Sequence, residues 1–140
     1  MTNTDILTLI PQRKPFVMID TLLDSDEVNT RTNFRVCADN IFVRDGELLE
    51  PALVENIAQT AATRIGWLSQ LEGKPAPIGY IGAVQKLEVF TLPKVNDVLE
   101  TEIRVDKQIF DVSVIVGKIS CNNRLIAQCE MKIFVSKNGN

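Results

Sequence analysis

The amino-acid sequence predicts an α+β fold, and two regimes of periodicity carry that reading. Apolar residues recur at helical spacing in one long stretch, residues 51–71, and alternate with polar ones at a period of two in several other segments. Gly, Pro, Asn and Asp separate those segments, as the turns between strands require.

In chain order, residues 5–10 are expected to form a short helix after Thr4, stopped by Pro11, whose ring cannot continue it. Phe16, Val17, Met18 and Ile19 then read as a buried strand. Over residues 28–37 the alternation is clean: Val28, Thr30, Thr32, Phe34 and Val36 share one face, and Asn29, Arg31, Asn33 and Arg35 the other. Pro51 opens the long helix where a missing N–H costs nothing, and Val54, Ile57, Ala58, Ala61, Ile65 and Leu68 continue at helical spacing to about Leu71. Gly73 and Pro75 stop it. The small residues Ala58, Thr60, Ala61, Ala62, Thr63 and Gly66 make this helix thin, so that a sheet can lie close against it, with Trp67 and Leu68 as bulk near its far end.

The second half reads as an antiparallel meander. A strand at residues 84–89 and a turn at residues 93–97 lead into residues 99–106, where Leu99, Thr101, Ile103 and Val105 alternate with charged neighbours. Strands at 112–121 and 125–135 follow, joined through Asn122 and Asn123, a pair that tolerates the positive φ of a tight hairpin.

A chain of 140 residues without repeat, linker or low-complexity segment reads as one domain, residues 1–140. Its hydrophobic content of 45% and charged content of 24% are ordinary for a globular protein. The net charge of −3, with no basic run beyond Arg13 and Lys14, argues against a nucleic-acid partner. The first ten residues lack the basic and apolar regions of a leader, and no segment approaches the ~20 apolar residues that span a bilayer, so a cytoplasmic protein without membrane contact is expected. Cys37, Cys121 and Cys129 are widely spaced and odd in number, which fits reduced, small, buried side chains. With no histidine at all, neither a metal site nor any other cofactor is expected.

Three strings carry a resemblance to a known family. Residues 10–20 (IPQRKPFVMID), 53–62 (LVENIAQTAA) and 92–99 (LPKVNDVL) are similar in order and spacing to the opening motif, helix signature and pre-meander turn of the FabA/FabZ-type 3-hydroxyacyl-ACP dehydratases. Residues 39–48 resemble the shorter subgroup found in aryl-polyene and flexirubin pigment pathways, not the G-H-F-P-G stretch of the fatty-acid enzymes. The resemblance implies a hotdog fold, an antiparallel sheet wrapped around one long central helix, and a dimer that binds acyl thioesters on acyl carrier protein or coenzyme A. It also implies a dyad of histidine and helix carboxylate from opposite subunits. This chain keeps the carboxylate, Glu55, but has no histidine, and Gln12 stands where the opening motif has one.

Dehydrating a 3-hydroxyacyl thioester requires removing an α-proton, protonating the departing hydroxyl and stabilising the thioester oxygen. Amides at the helix N-terminus around Ala52, Leu53 and Val54 are suited to the third task. The first two fall to Glu55, with Gln59 one turn away to fix its rotamer. Gln12 can orient a hydroxyl or carbonyl but cannot accept a proton. Arg13 can steer an acidic carrier or the phosphates of coenzyme A. Each has a plainer alternative: Glu55 as helix-dipole compensation, Gln12 as a loop hydrogen-bonder, Arg13 as solvated surface. Three functions are therefore carried forward: a dehydratase, a non-catalytic subunit of a hotdog heterodimer, and an acyl thioesterase.

Overall fold

In the computed structural model, which describes residues 5–136, a six-stranded antiparallel sheet curls around a single long helix. The elements are β1 Thr21–Ser25, β2 Asn29–Arg35, β3 Val43–Arg44, β4 Glu47–Leu48, α1 Glu50–Leu71, β5 Ile78–Val89, β6 Val98–Ile109, β7 Val112–Cys121 and β8 Arg124–Ser136. Sheet order is β1-β2-β6-β7-β8-β5, with β3 and β4 forming a separate small hairpin. This is the hotdog architecture.

Period-two patterning places the core. Thr30, Thr32 and Phe34 of β2, Leu99, Thr101 and Ile103 of β6, and Ile115 and Ile119 of β7 turn inward and are buried, and their neighbours face outward. They pack with Leu53 and Ile57 of α1 and Met131 of β8. Each of the apolar side chains among them contributes about 1.5–3 kcal/mol by leaving water. The sheet lies tightly against the helix at Gly117, where a Cβ would stand 2.4 Å from Cγ2 of Ile57. A polar spine fixes the helix's rotation. Asn56 donates from Nδ2 to the Met18 carbonyl at 2.7 Å and accepts at Oδ1 from the Thr101 hydroxyl, while the Thr60 and Thr32 hydroxyls bond at 2.8 Å.

A second cluster seals another side of α1. Ile6, Leu9, Ile10, Ile19 and Leu22 are buried there against Trp67 and Ala62. The N-terminal segment sits directly on Gly66, where a Cβ would fall 2.1 Å from the Leu9 carbonyl oxygen. The thinness of the helix thus serves this segment as well as the sheet, and the sheet's close approach depends on its own Gly117.

Several expectations are corrected. The short N-terminal helix is one 3-10 turn, Ile6–Thr8, whose cap is Asp5, accepting from Leu7 N–H at 3.0 Å; Thr4 lies outside the described residues. Residues 16–19 belong to no strand, and Phe16 is exposed, its N–H closing a turn onto the Arg13 carbonyl at 2.9 Å. Their backbone groups bond to helix side chains, Asn56 and Gln59, in place of a neighbouring strand. The strand expected at 84–89 begins at Ile78. The turn at Asp45 and Gly46, both at positive φ, closes a β3–β4 hairpin that periodicity missed because its strands are two residues each. Cys37 is exposed, not buried. Asn122 and Asn123 do take φ of 52° and 63° at the β7–β8 hairpin.

Candidate active site

Glu55 is set one turn into α1 because Pro51 starts the helix four residues earlier and Leu53 and Ile57, on the opposite side, are drawn into the core. That rotation points Glu55 into a cleft of about 800 Å³. Ala58, Ala62 and Ile65 continue its floor along the helix, and the N-terminal segment with Gln12 and Arg13 forms one wall. The start of β5, with Gly79 and Ile81, forms the other.

Gln59 locks the carboxylate. Its Oε1 accepts the Met18 N–H at 2.7 Å, which fixes which end of the amide faces which way. Its Nε2 then donates to the Phe16 carbonyl and to Glu55 Oε2, both at 2.8 Å. The bond to Glu55 fixes the carboxylate's orientation at the head of the cleft. Among the described residues no other protein group bonds to Glu55, and its second oxygen is left to the cleft.

Gln12 is half-buried in the wall, and its Oε1 is enclosed with no hydrogen-bond partner among the described residues. A buried amide oxygen left unmet costs about 1–3 kcal/mol, so it has acceptor capacity to spare for a hydroxyl or amide in the cleft. Arg13 is exposed and curls back, donating from Nη1 to the Ile10 and Gln12 carbonyls at 2.9 and 2.7 Å. The site thus brings Glu55, Gln59, Gln12 and Arg13 together.

Ala52 and Leu53 are not brought to it. Both are wholly buried in the core away from the cleft, and the Ala52 N–H already bonds to the Leu49 carbonyl at 3.1 Å. The expected amide site for a thioester oxygen does not form there, because the same turn that projects Glu55 outward carries its neighbours inward. The β5 wall and Ile133 went unseen in the sequence, since nothing local links them to Glu55. The Gly66 seat of the other wall had a faint signal in the run of small helix residues.

The buried thiols take no part. Burial pushes Cys129 up to about 11 and raises Cys121, with a further contribution from Asp97. Among the described residues no three His, Cys, Asp or Glu side chains gather as metal ligands, and no helix is long and apolar enough to cross a membrane.

Fold and cleft together define a hotdog domain with one carboxylate at the head of an apolar groove. The chain belongs to the ApeP-like family, described as ApeP dehydratase, whose model matches residues 4–140. It is similar to the 3-hydroxyacyl-[acyl-carrier-protein] dehydratase FabZ of Levilactobacillus brevis, 23% identical over 97% of this chain and 94% of that one. Among solved structures it is similar to the dehydratase heterocomplex ApeI:P from Xenorhabdus doucetiae, with a TM-score of 0.89, 16% identity, and coverage of 96% of this chain and 93% of that one. A hypothetical thioesterase with coenzyme A from Streptococcus pneumoniae shares the fold at a TM-score of 0.68 and 14% identity, covering 82% and 84% of the two chains.

Proposed function

We propose that this protein dehydrates 3-hydroxyacyl thioesters with Glu55 as its single acid–base group. The observation that carries the reading is Gln59's amide, oriented by Met18 N–H, donating to Glu55 Oε2 at the head of an apolar cleft. The acyl chain lies along Ala58 and Ala62. Glu55, as a carboxylate, takes the α-proton; the electron pair forms the double bond as the C–O bond to the 3-hydroxyl breaks. The same carboxyl group returns its proton to the departing oxygen, so water leaves and Glu55 is again a base. Gln12 Oε1 accepts the hydroxyl hydrogen and orients it, and Arg13 meets the phosphate of a pantetheine arm.

The protein works as a dimer through β5. Among the described residues that strand ends the sheet with one edge unpaired, and Ile78, Tyr80, Ile81, Val84 and Leu87 along it are exposed. Pairing there walls the open side of the cleft. A second reading makes the partner a histidine-bearing hotdog chain. The total absence of histidine here favours it, as does the likeness to a chain of the dehydratase heterocomplex ApeI:P.

Hydration of crotonyl-pantetheine, the reverse reaction, tests the first reading. Wild type is expected to hydrate it and Glu55→Gln to lose nearly all activity; full activity in the variant overturns the assignment. Activity seen only after adding a histidine-bearing hotdog chain selects the second reading, and free thiol release selects a thioesterase.

A further inference from the structure

The sheet face turned away from α1 carries an apolar band that the fold leaves uncovered. Cross-strand register aligns Tyr80 of β5, Phe134 of β8, Val112 of β7 and Ile109 of β6 in one row. Directly opposed residues share a face, so these four side chains form a stripe across four strands. Tyr80, Phe134 and Ile109 are 57%, 44% and 61% exposed. The stripe is flat because of Gly82, where a Cβ would stand 1.9 Å from Cε2 of Phe134, so the ring lies over β5.

A second, independent feature sits beside it. Phe110, at the β6–β7 tip, is 94% exposed and has φ of 54°, a left-handed conformation that bulky side chains rarely adopt. At the next hairpin Asn122 and Asn123 fill the same kind of position, as turn chemistry favours. A phenylalanine held there in water offers the fold nothing, and it extends the apolar surface past the sheet.

The two rows beside the stripe carry three cations and one acid. Lys132 and Lys107 flank Val114 in the next row, and Arg104 lies opposite Val116 beyond it. Among the described residues none of the three cations forms an ion pair. The acid in those rows, Glu130, is within 3.9 Å of Lys86. On a chain with a net charge of −3, these two rows are net basic and lie beside an apolar stripe.

We propose that this outer face docks an acidic protein, the carrier that delivers the thioester. The assignment rests on the function proposed above, and it adds where the carrier binds. Charge complementarity selects the occupant: an acidic surface meets Lys107, Lys132 and Arg104, and its apolar centre covers the stripe. A second copy docked symmetrically would set these cations against themselves. The face borders the cleft, since Tyr80 belongs to both, and it stays open when β5 edges pair, because edge and face point in different directions.

The test titrates the intact protein with holo acyl carrier protein and, in parallel, follows hydration of carrier-free crotonyl-pantetheine. The double variant K107E/K132E is expected to weaken carrier binding about tenfold or more and Phe110→Ser about threefold, with added salt weakening wild type. Both variants should leave crotonyl-pantetheine hydration unchanged. Glu55→Gln should do the reverse, losing hydration and keeping the carrier, so the two readings fail separately. Wild type that does not bind the carrier, or variants that bind it as wild type does, overturn the proposal. So does a wild-type assembly whose sedimentation mass these substitutions reduce, for the face would then join copies of this chain.

Discussion

The two faces of α1 are built to opposite specifications. Toward the sheet, Asn56, Ile57 and Thr60 are wholly enclosed, and the polar groups among them are bonded to Met18, Thr101 and Thr32. Toward the cleft, Glu55, Ala58, Ala62 and Ile65 are half-buried along a groove, beside the unpartnered Oε1 of Gln12. One face is packed and satisfied, which is how a hotdog sheet is held on its helix. The other keeps space and unmet hydrogen-bonding capacity, which contribute nothing to folding and suit a ligand.

Substitutions should therefore separate into those that cost activity and those that cost stability. The largest effect is expected from Glu55→Gln: about 10²–10⁴-fold less hydration of crotonyl-pantetheine, with unfolding in urea shifted by no more than about 0.5 kcal/mol. If stability fell along with activity, the distinction between the faces would be erased. Ile57→Ala, on the opposite side of the helix, should cost about 2–5 kcal/mol in the same urea titration, because its methyls fill the space above Gly117. The surviving folded fraction should keep wild-type turnover.

Gly66→Ala sharpens the contrast from a third direction. Its methyl must displace the Leu9 carbonyl, so about 1–3 kcal/mol of stability goes and the wall carrying Gln12 and Arg13 shifts. KM for the thioester should rise more than kcat falls, since Glu55 and Gln59 stay in place; steady-state kinetics read this directly. The smallest effect belongs far from the cleft, at the β1–β2 turn. Asp26 accepts N–H bonds from Asn29 and Val28, which hold its carboxyl below the ordinary range. A folded value lowered in this way stabilises above the unfolded pKa of about 3.9, and that stability disappears as pH falls through the folded value. Asp26→Asn should flatten the acid limb of a stability–pH curve and leave hydration at neutral pH alone.

Much of the satisfied face was legible in the sequence, because it is written in period. Strand β7 falls at Val112–Cys121 as expected, and α1 runs from Glu50, one residue before Pro51, to Leu71. The Glu55–Gln59 pair was also readable, since helical spacing alone stacks residues four apart. What stayed hidden depends on long-range partners. Residues 16–19 look like a strand by composition, yet Asn56 and Gln59 supply their hydrogen bonds. Ala52 and Leu53 sit beside Glu55 in the chain, but the helix's rotation, set by Leu53 and Ile57 in the core, turns them from the cleft. The cleft's second wall comes from β5, more than twenty residues on, and no local pattern announces it.

Proton removal by a lone carboxylate can be watched without elimination. Butyryl-pantetheine has α-hydrogens and no 3-hydroxyl, so in D₂O the sole outcome of deprotonation is deuterium uptake at the α-carbon, followed by NMR. Wild type should catalyse that exchange and Glu55→Gln should not; exchange at the wild-type rate in the variant would mean that another group is the base.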